Sequence, residues 1–239
     1  MRTIGLLGGM SWESTAVYYR LINQAVRDRL GGLHSAEILL HSVDFERVVQ
    51  LQRAGRWDAA GALLGQAAAG LAQAGAECVM ICTNTMHLVA DAVAALSPVP
   101  LLHIVDETGR ALTRRGLRRP LLLATQYTME QGFYRDRMRA ACGIETLVPD
   151  LPDRELVHRV IFDELCRGIV RSESRDAMHA IVQRGIAAGA DSVILGCTEI
   201  CLLLDPDALP CPGVDSTMEH AMAAVAFALA DPAAARQAA

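Results

Sequence analysis

The sequence predicts an α/β fold with parallel sheets, arranged as two similar lobes. Three observations lead there. Short apolar runs alternate with stretches that are apolar at helical spacing, the pattern of strand–helix–strand units. A ten-residue segment recurs: Ala74-Gly75-Ala76-Glu77-Cys78-Val79-Met80-Ile81-Cys82-Thr83 aligns without gaps with Ala188-Gly189-Ala190-Asp191-Ser192-Val193-Ile194-Leu195-Gly196-Cys197, an offset of 114 (197 − 83). The chain of 239 residues is long enough for two lobes of about 110 residues, each with a core.

The elements follow in order. Strands are expected at Thr3–Gly8, Glu37–Val43, Cys78–Thr83, Pro100–Val105, Pro120–Ala124, Glu145–Val148, Ser192–Cys197 and Gly213–Val214, from apolar runs bounded by turn residues. Helices are expected at Trp12–Asp28, the alanine-rich Trp57–Ala74, Leu156–Arg167 and Arg175–Ala188. A second echo sets Tyr19-Arg20 against Tyr134-Arg135, offset by 115 (134 − 19). Duplication then places two lobes across a cleft, related by a pseudo-twofold axis. The first lobe takes residues 1–107 plus a returning segment at 212–230, and the second takes 108–211. Residues 231–239, small and polar, are expected to be a flexible tail.

Composition narrows the functions. A net charge of −5 offers no footprint for nucleic acid or an anionic membrane surface. No apolar run is long enough to span a bilayer, and the start reads as a strand rather than a signal peptide, so a cytoplasmic location is expected. Seven cysteines, an odd number, argue against a disulfide framework. All 22 basic residues are arginine. A chain without lysine cannot form the Schiff base of pyridoxal phosphate or use the lysine of a P-loop, so no cofactor is expected.

The chemistry is expected at strand ends. Ligands of parallel sheets bind beyond the carboxyl ends of the strands, where the repeat places Thr83 and Cys197. Each is followed by polar residues, Asn84-Thr85 and Thr198-Glu199, that can cap the next helix and turn donors toward a ligand. Flanking a substrate from two sides, Thr83 and Cys197 would suit a racemase, in which one group removes a proton and another returns one to the opposite face. The plainer alternative makes both of them capping residues.

The chain resembles the aspartate/glutamate racemase superfamily over nearly its whole length. The motifs are Ile4-Gly5-Leu6-Leu7-Gly8-Gly9-Met10-Ser11-Trp12, Ser42-Val43-Asp44-Phe45, Cys82-Thr83-Asn84-Thr85-Met86-His87, Tyr127-Thr128-Met129 and Gly196-Cys197-Thr198-Glu199-Ile200. The resemblance implies two Rossmann-like lobes with the site between them, no cofactor, an amino-acid substrate and a homodimer. It also implies two catalytic cysteines, but here Thr83 replaces the first. This matches the subgroup of the family that has threonine there and favours L-enantiomers. The expectation is therefore an unequal pair, with Cys197 as thiolate abstracting the α-proton of the L-acid and Thr83 donating or relaying one. Cys82 should face the sheet packing, since neighbouring strand residues point to opposite faces. Expected substrate-binding residues are Met10, Ser11, Gln52, Asn84, Thr85, Thr198 and Glu199. The Gly8–Ser11 turn would act as an anion nest, and Gln52 would either reach a carboxylate or lie on a helix surface. The lysine that some two-cysteine relatives carry late in the chain has no counterpart, because Cys166 and Arg167 occupy that stretch.

Other features carry less. The pairs Cys78/Cys82 and Cys197/Cys201 have C-x3-C spacing, unlike the C-x2-C knuckles usual for zinc, so no metal is expected. His87 could orient the site or satisfy backbone at a helix start, and His103 and His158 read as structural. Arg110, Arg114, Arg115, Arg118 and Arg119 read as a solvated helix end rather than a phosphate patch. Two other functions compete with the racemase: a one-cysteine decarboxylase or cis–trans isomerase of dicarboxylates, and an amino-acid-binding protein without turnover.

Overall fold

The structure, a computed structural model, describes residues 1–230; the expected tail at 231–239 lies outside the described residues. The chain divides into two compact units. Unit 1 holds Met1–Cys82, Val89–His103 and the chain from His220 onward; unit 2 holds Thr83–Leu88 and Ile104–Glu219.

Unit 1 contains β1 (Ile4–Gly8), α1 (Trp12–Leu30), β2 (Ile38–Ser42), α2 (Phe45–Arg53), α3 (Trp57–Gln73), β3 (Cys78–Ile81), α4 (Ala90–Leu96) and β4 (Leu101–Leu102). Its parallel sheet has the order β2-β1-β3-β4. β1 and β3 are buried at every position, which is why they appear in the sequence as unbroken apolar runs. α1 starts at Ser11, whose hydroxyl accepts from the Ser14 N–H, and buries Tyr18, Ile22 and Val26 at four-residue spacing against the sheet. At about 25 cal/mol per Å2, each of these apolar side chains contributes roughly 1.5–3 kcal/mol. At the turn after β1, Gly9 has φ +88° and lies so close to Val43 that a Cβ would sit 2.2 Å from its carbonyl oxygen.

Unit 2 contains α5 (Ile104–Arg114), β5 (Pro120–Leu123), α6 (Gln126–Glu130), α7 (Phe133–Cys142), α8 (Leu151–Arg159), α9 (Ser172–Ala187), β6 (Ser192–Leu195) and β7 (Gly213–Asp215). α10 (Ser216–Leu229) begins here and runs into unit 1 from His220. The parallel sheet has the order β5-β6-β7. Leu147 adds to the outer edge of β5, with Leu122 N–H donating to its carbonyl at 2.8 Å and its own N–H donating to Pro120 at 2.9 Å. Counting that segment, unit 2 repeats the strand order of unit 1. Leu121, Leu122, Val193, Ile194, Met138 and Ile181 form its core.

The repeat is a repeat of backbone. α3 and α9 are both capped by an alanine, Ala74 and Ala188, then turn through glycine in the left-handed region, Gly75 at φ +107° and Gly189 at φ +93°. The corresponding bonds recur: Ala76 N–H to Leu71 and Ala190 N–H to Gly185, both 3.0 Å, then Cys82 N–H to Leu7 at 2.9 Å and Gly196 N–H to Leu123 at 2.7 Å. The tyrosine echo is out of step by one. Tyr19 is 55% exposed, whereas Tyr18 and Tyr134 are both fully buried. They are 116 residues apart (134 − 18), as are the first residues of β1 and β5 (120 − 4).

Several expected elements change. Pro100–Val105 forms only the two-residue β4, because Ile104 starts α5, whose buried face takes Ile104, Val105, Thr108 and Leu112. Glu145–Val148 is reduced to the bridge at Leu147. The helix expected at Leu156–Arg167 starts earlier, at the Asp150 cap of α8, and continues as a π-helical turn at Val160–Glu164 and a 3-10 turn at Leu165–Arg167. The segment expected to return at 212 first supplies β7 to the second sheet, and the return begins at His220. Among the described residues no helix is long and apolar enough to cross a membrane.

Candidate active site

The switch point of the second sheet lies between β5 and β6, and the residues beyond these strands gather there. β6 runs through Gly196 to Cys197, which leads into a 3-10 helix at Thr198–Leu202. Cys197 holds the cap position with extended backbone but makes no side-chain cap bond. Its thiol instead donates to Glu199 Oε2 at 2.9 Å. Glu199 is buried, and its other oxygen accepts from the Cys166 thiol at 4.0 Å. Burial first, then the Glu199 charge and Cys166, push the Cys197 thiol well above the usual thiol range. Burial and the neighbouring Glu199 charge thus both oppose the thiolate form in which Cys197 would remove a proton from carbon.

Thr83 is half-buried and follows Cys82, the last residue of unit 1 in that stretch. Cys82 is fully buried in the core of unit 1, with its thiol pushed up by burial alone. The Thr83 carbonyl is held by His87 Nδ1 at 2.8 Å. The opposite nitrogen of that ring, Nε2, accepts from the Ile104 N–H at 3.2 Å, so Nδ1 carries the proton and donates to Thr83. His87 thus fixes the backbone at Thr83.

The neighbouring polar residues are ordered by specific bonds. Asn84 Nδ2 donates to Ser216 Oγ at 3.1 Å, and that hydroxyl donates to the Leu195 carbonyl at 2.9 Å. This chain sets the amide orientation and leaves Asn84 Oδ1 buried without a hydrogen-bond partner. Thr85 shares a buried triangle of hydroxyls with Thr125 and Thr128, at 2.9, 3.2 and 3.1 Å. Thr198 Oγ1 lies 3.3 Å from Thr217 Oγ1. Helix-start donors here come from 3-10 segments, Thr85–Val89 and Thr198–Leu202, rather than from full α-helices.

Thr83, Asn84, Thr85, Cys197, Thr198 and Glu199 therefore all belong to unit 2, while Met10, Ser11 and Gln52 belong to unit 1. In unit 1 part of the expected anion nest is used internally: Gly9 N–H donates to Thr15 Oγ1 at 2.9 Å, and Ser11 Oγ caps α1. Met10 is buried. Gln52 is 7% exposed on α2, which removes the helix-surface reading. Sequence reasoning missed Thr125 and Cys166. Thr125 was findable as the first polar residue after a strand, and Cys166 from its place in the stretch where some relatives carry a lysine.

Among the described residues no group of three or more His, Cys, Asp or Glu side chains could hold a metal ion. His158 Nδ1 accepts from the Gln126 N–H and its ring packs on Phe162. The arginine run is spent on local partners: Arg110 on Glu107, Arg114 and Arg115 on Glu219, Arg119 on Glu145, and Arg118 on the Cys142 carbonyl.

Comparison with known proteins settles the family. The model of the Asp/Glu/hydantoin racemase family matches residues 7–224. The chain belongs to the Asp/Glu/hydantoin racemase family. It is an amino-acid racemase by that membership. A candidate Asp/Glu racemase from Yersinia pestis is 50% identical, with 96% of this chain and 100% of that one covered and a TM-score of 0.91. An aspartate racemase homologue from Pyrococcus horikoshii OT3 is 30% identical over 95% of this chain and 99% of its own, with a TM-score of 0.84. An aspartate racemase from Picrophilus torridus shares the fold at 20% identity, covering 95% and 94%, with a TM-score of 0.75.

Proposed function

We propose that this racemase acts on aspartate or glutamate without a cofactor, with Cys197 as the base toward the L-enantiomer and Thr83 as donor or relay on the opposite face. The observation that carries the reading is the Cys197 thiol held 2.9 Å from the Glu199 carboxylate at the end of a parallel strand. A thiol must lose its proton before it can take one from carbon, and Glu199 Oε2 is within reach to receive it.

The steps balance. The Sγ–H proton passes to Glu199 Oε2, and the bonding pair stays on sulfur. The thiolate takes the Cα proton, leaving a carbanion conjugated with the α-carboxylate. The Thr83 hydroxyl, directly or through water, delivers a proton to the other face and is reprotonated from Glu199 by way of solvent. Burial that raises the Cys197 thiol also makes its thiolate a stronger base toward a carbon acid. Thr83 has no such basicity, so kcat is higher for the L-acid than for the D-acid, with KM differing in proportion because the enantiomers are equally stable.

Binding follows from the same network. Asn84 has its donor committed to Ser216 and offers Oδ1 as a buried acceptor, which suits the substrate ammonium. Thr85 and Thr198 supply hydroxyls for carboxylate oxygens, while Met10, Ser11 and Gln52 are kept as further binding residues. The absence of lysine from the sequence supports independence from pyridoxal phosphate. The reading includes a cytoplasmic homodimer. Incubation with L-aspartate or L-glutamate in heavy water tests it: deuterium at Cα with D-acid appearing is expected, and no exchange with either acid sinks it.

A further inference from the structure

Glu199 has two oxygens, and only one is explained by Cys197. The second faces Cys166, at 4.0 Å from its sulfur. Cys166 reaches that place because the helix leaves α geometry: a π-helical turn at Val160–Glu164 passes into the 3-10 turn Leu165–Arg167 that carries it. π turns are rare and are found frequently at functional sites. The groups near Glu199 include Cys197, two residues before it, Cys166 from this turn, and Cys201, two residues on. Cys201 is itself committed to Asp215. Burial, and after it the Glu199 charge, push the Cys166 thiol up to about 12, so it faces Glu199 as a neutral donor.

We propose that Cys166 is a positioning residue that holds one oxygen of Glu199 and so aims the other at Cys197. The proposal rests on the racemase reading for its purpose but not for its test. No atoms are exchanged with Cys166; its proton stays on sulfur throughout.

The test compares the rate at which iodoacetamide alkylates Cys197, read by mass spectrometry, and kcat and KM for the L-acid in the wild type, Cys166→Ala and Cys166→Ser. In Cys166→Ala alkylation is expected to be roughly 3-fold faster and kcat to fall roughly 10-fold with KM unchanged, the size of a weak hydrogen bond to a charge. Cys166→Ser, which keeps a donor, is expected to stay near the wild type in both. Unchanged alkylation and kcat in Cys166→Ala, or equal changes in the serine variant, overturn the proposal. Faster alkylation in a protein that racemises neither acid overturns the proposed substrates and leaves the role of Cys166 standing.

Discussion

Replacing Glu199 by glutamine separates two effects that usually move together, the reactivity of a cysteine and the activity that depends on it. Glu199 stands 2.9 Å from Cys197 Sγ, close enough to oppose thiolate formation by charge and close enough to accept the thiol proton. Two unit charges about 4 Å apart interact by about 4 kcal/mol at an effective dielectric constant of 20. Cys197 is half-buried, so about half of that, ~2 kcal/mol, is the usable figure after solvent screening. At about 1.4 kcal/mol per factor of ten this is roughly 30-fold more thiolate at a pH below the midpoint. Alkylation of Cys197 by iodoacetamide, followed by mass spectrometry of its peptide at pH 8, should therefore be faster in Glu199→Gln. Racemisation of the L-acid should fall by about 100-fold or more, the usual loss when a proton acceptor is removed. Alkylation that is unchanged or slower would refute the electrostatic argument, and full activity would refute the role of Glu199 as acceptor.

Two further predictions concern other parts of the chain. Thr83→Cys supplies a thiol where the hydroxyl is a poor base, and D-to-L turnover measured by circular dichroism should rise roughly 10-fold or more; unchanged kinetics in both directions would sink the assignment of Thr83. His220 is fully buried between Tyr18 Oη (3.0 Å) and the Leu102 carbonyl (2.8 Å), and burial lowers it from 6.5 to about 4. The unfolded chain then binds a proton between about pH 6.5 and 4 that the folded chain refuses, so stability falls as pH drops through that window by up to about 3 kcal/mol. Urea unfolding at pH 7 and pH 4.5 measures it, and His220→Gln should flatten that part of the slope.

Much of the frame was legible because parallel sheets write themselves as repeated apolar runs. The segment from Ala74 to Thr83 and its counterpart give both the duplication and the position of Cys197, since a helix–glycine–strand turn demands the same residue types twice. What was not legible depends on faces and on distant partners. Tyr19 and Tyr134 match as letters, yet burial pairs Tyr134 with Tyr18, and a one-residue slip on a helix changes the face entirely. Ile104 and Val105 read as strand because a buried helix start is also an apolar run. The bond between Cys197 and Glu199 joins near neighbours and could have been suspected from Cys-Thr-Glu. The approach of Cys166 needs a π turn that no spacing announces.

The segment at Glu145–Val148, too short to count as a strand, has its own consequence. β5 would otherwise be the outermost strand of its sheet, with backbone groups of Pro120 and Leu122 facing outward. Leu147 occupies them with two bonds, Glu145 adds a third to Arg118 at 3.0 Å, and Pro149 follows. A strand edge left open is a template for pairing with another chain, and a proline just past the cover discourages its extension. The same few residues that fail as a strand therefore keep this sheet from growing into a neighbouring molecule, so Leu147→Pro, which removes the N–H that donates to Pro120, is expected to appear first as aggregation.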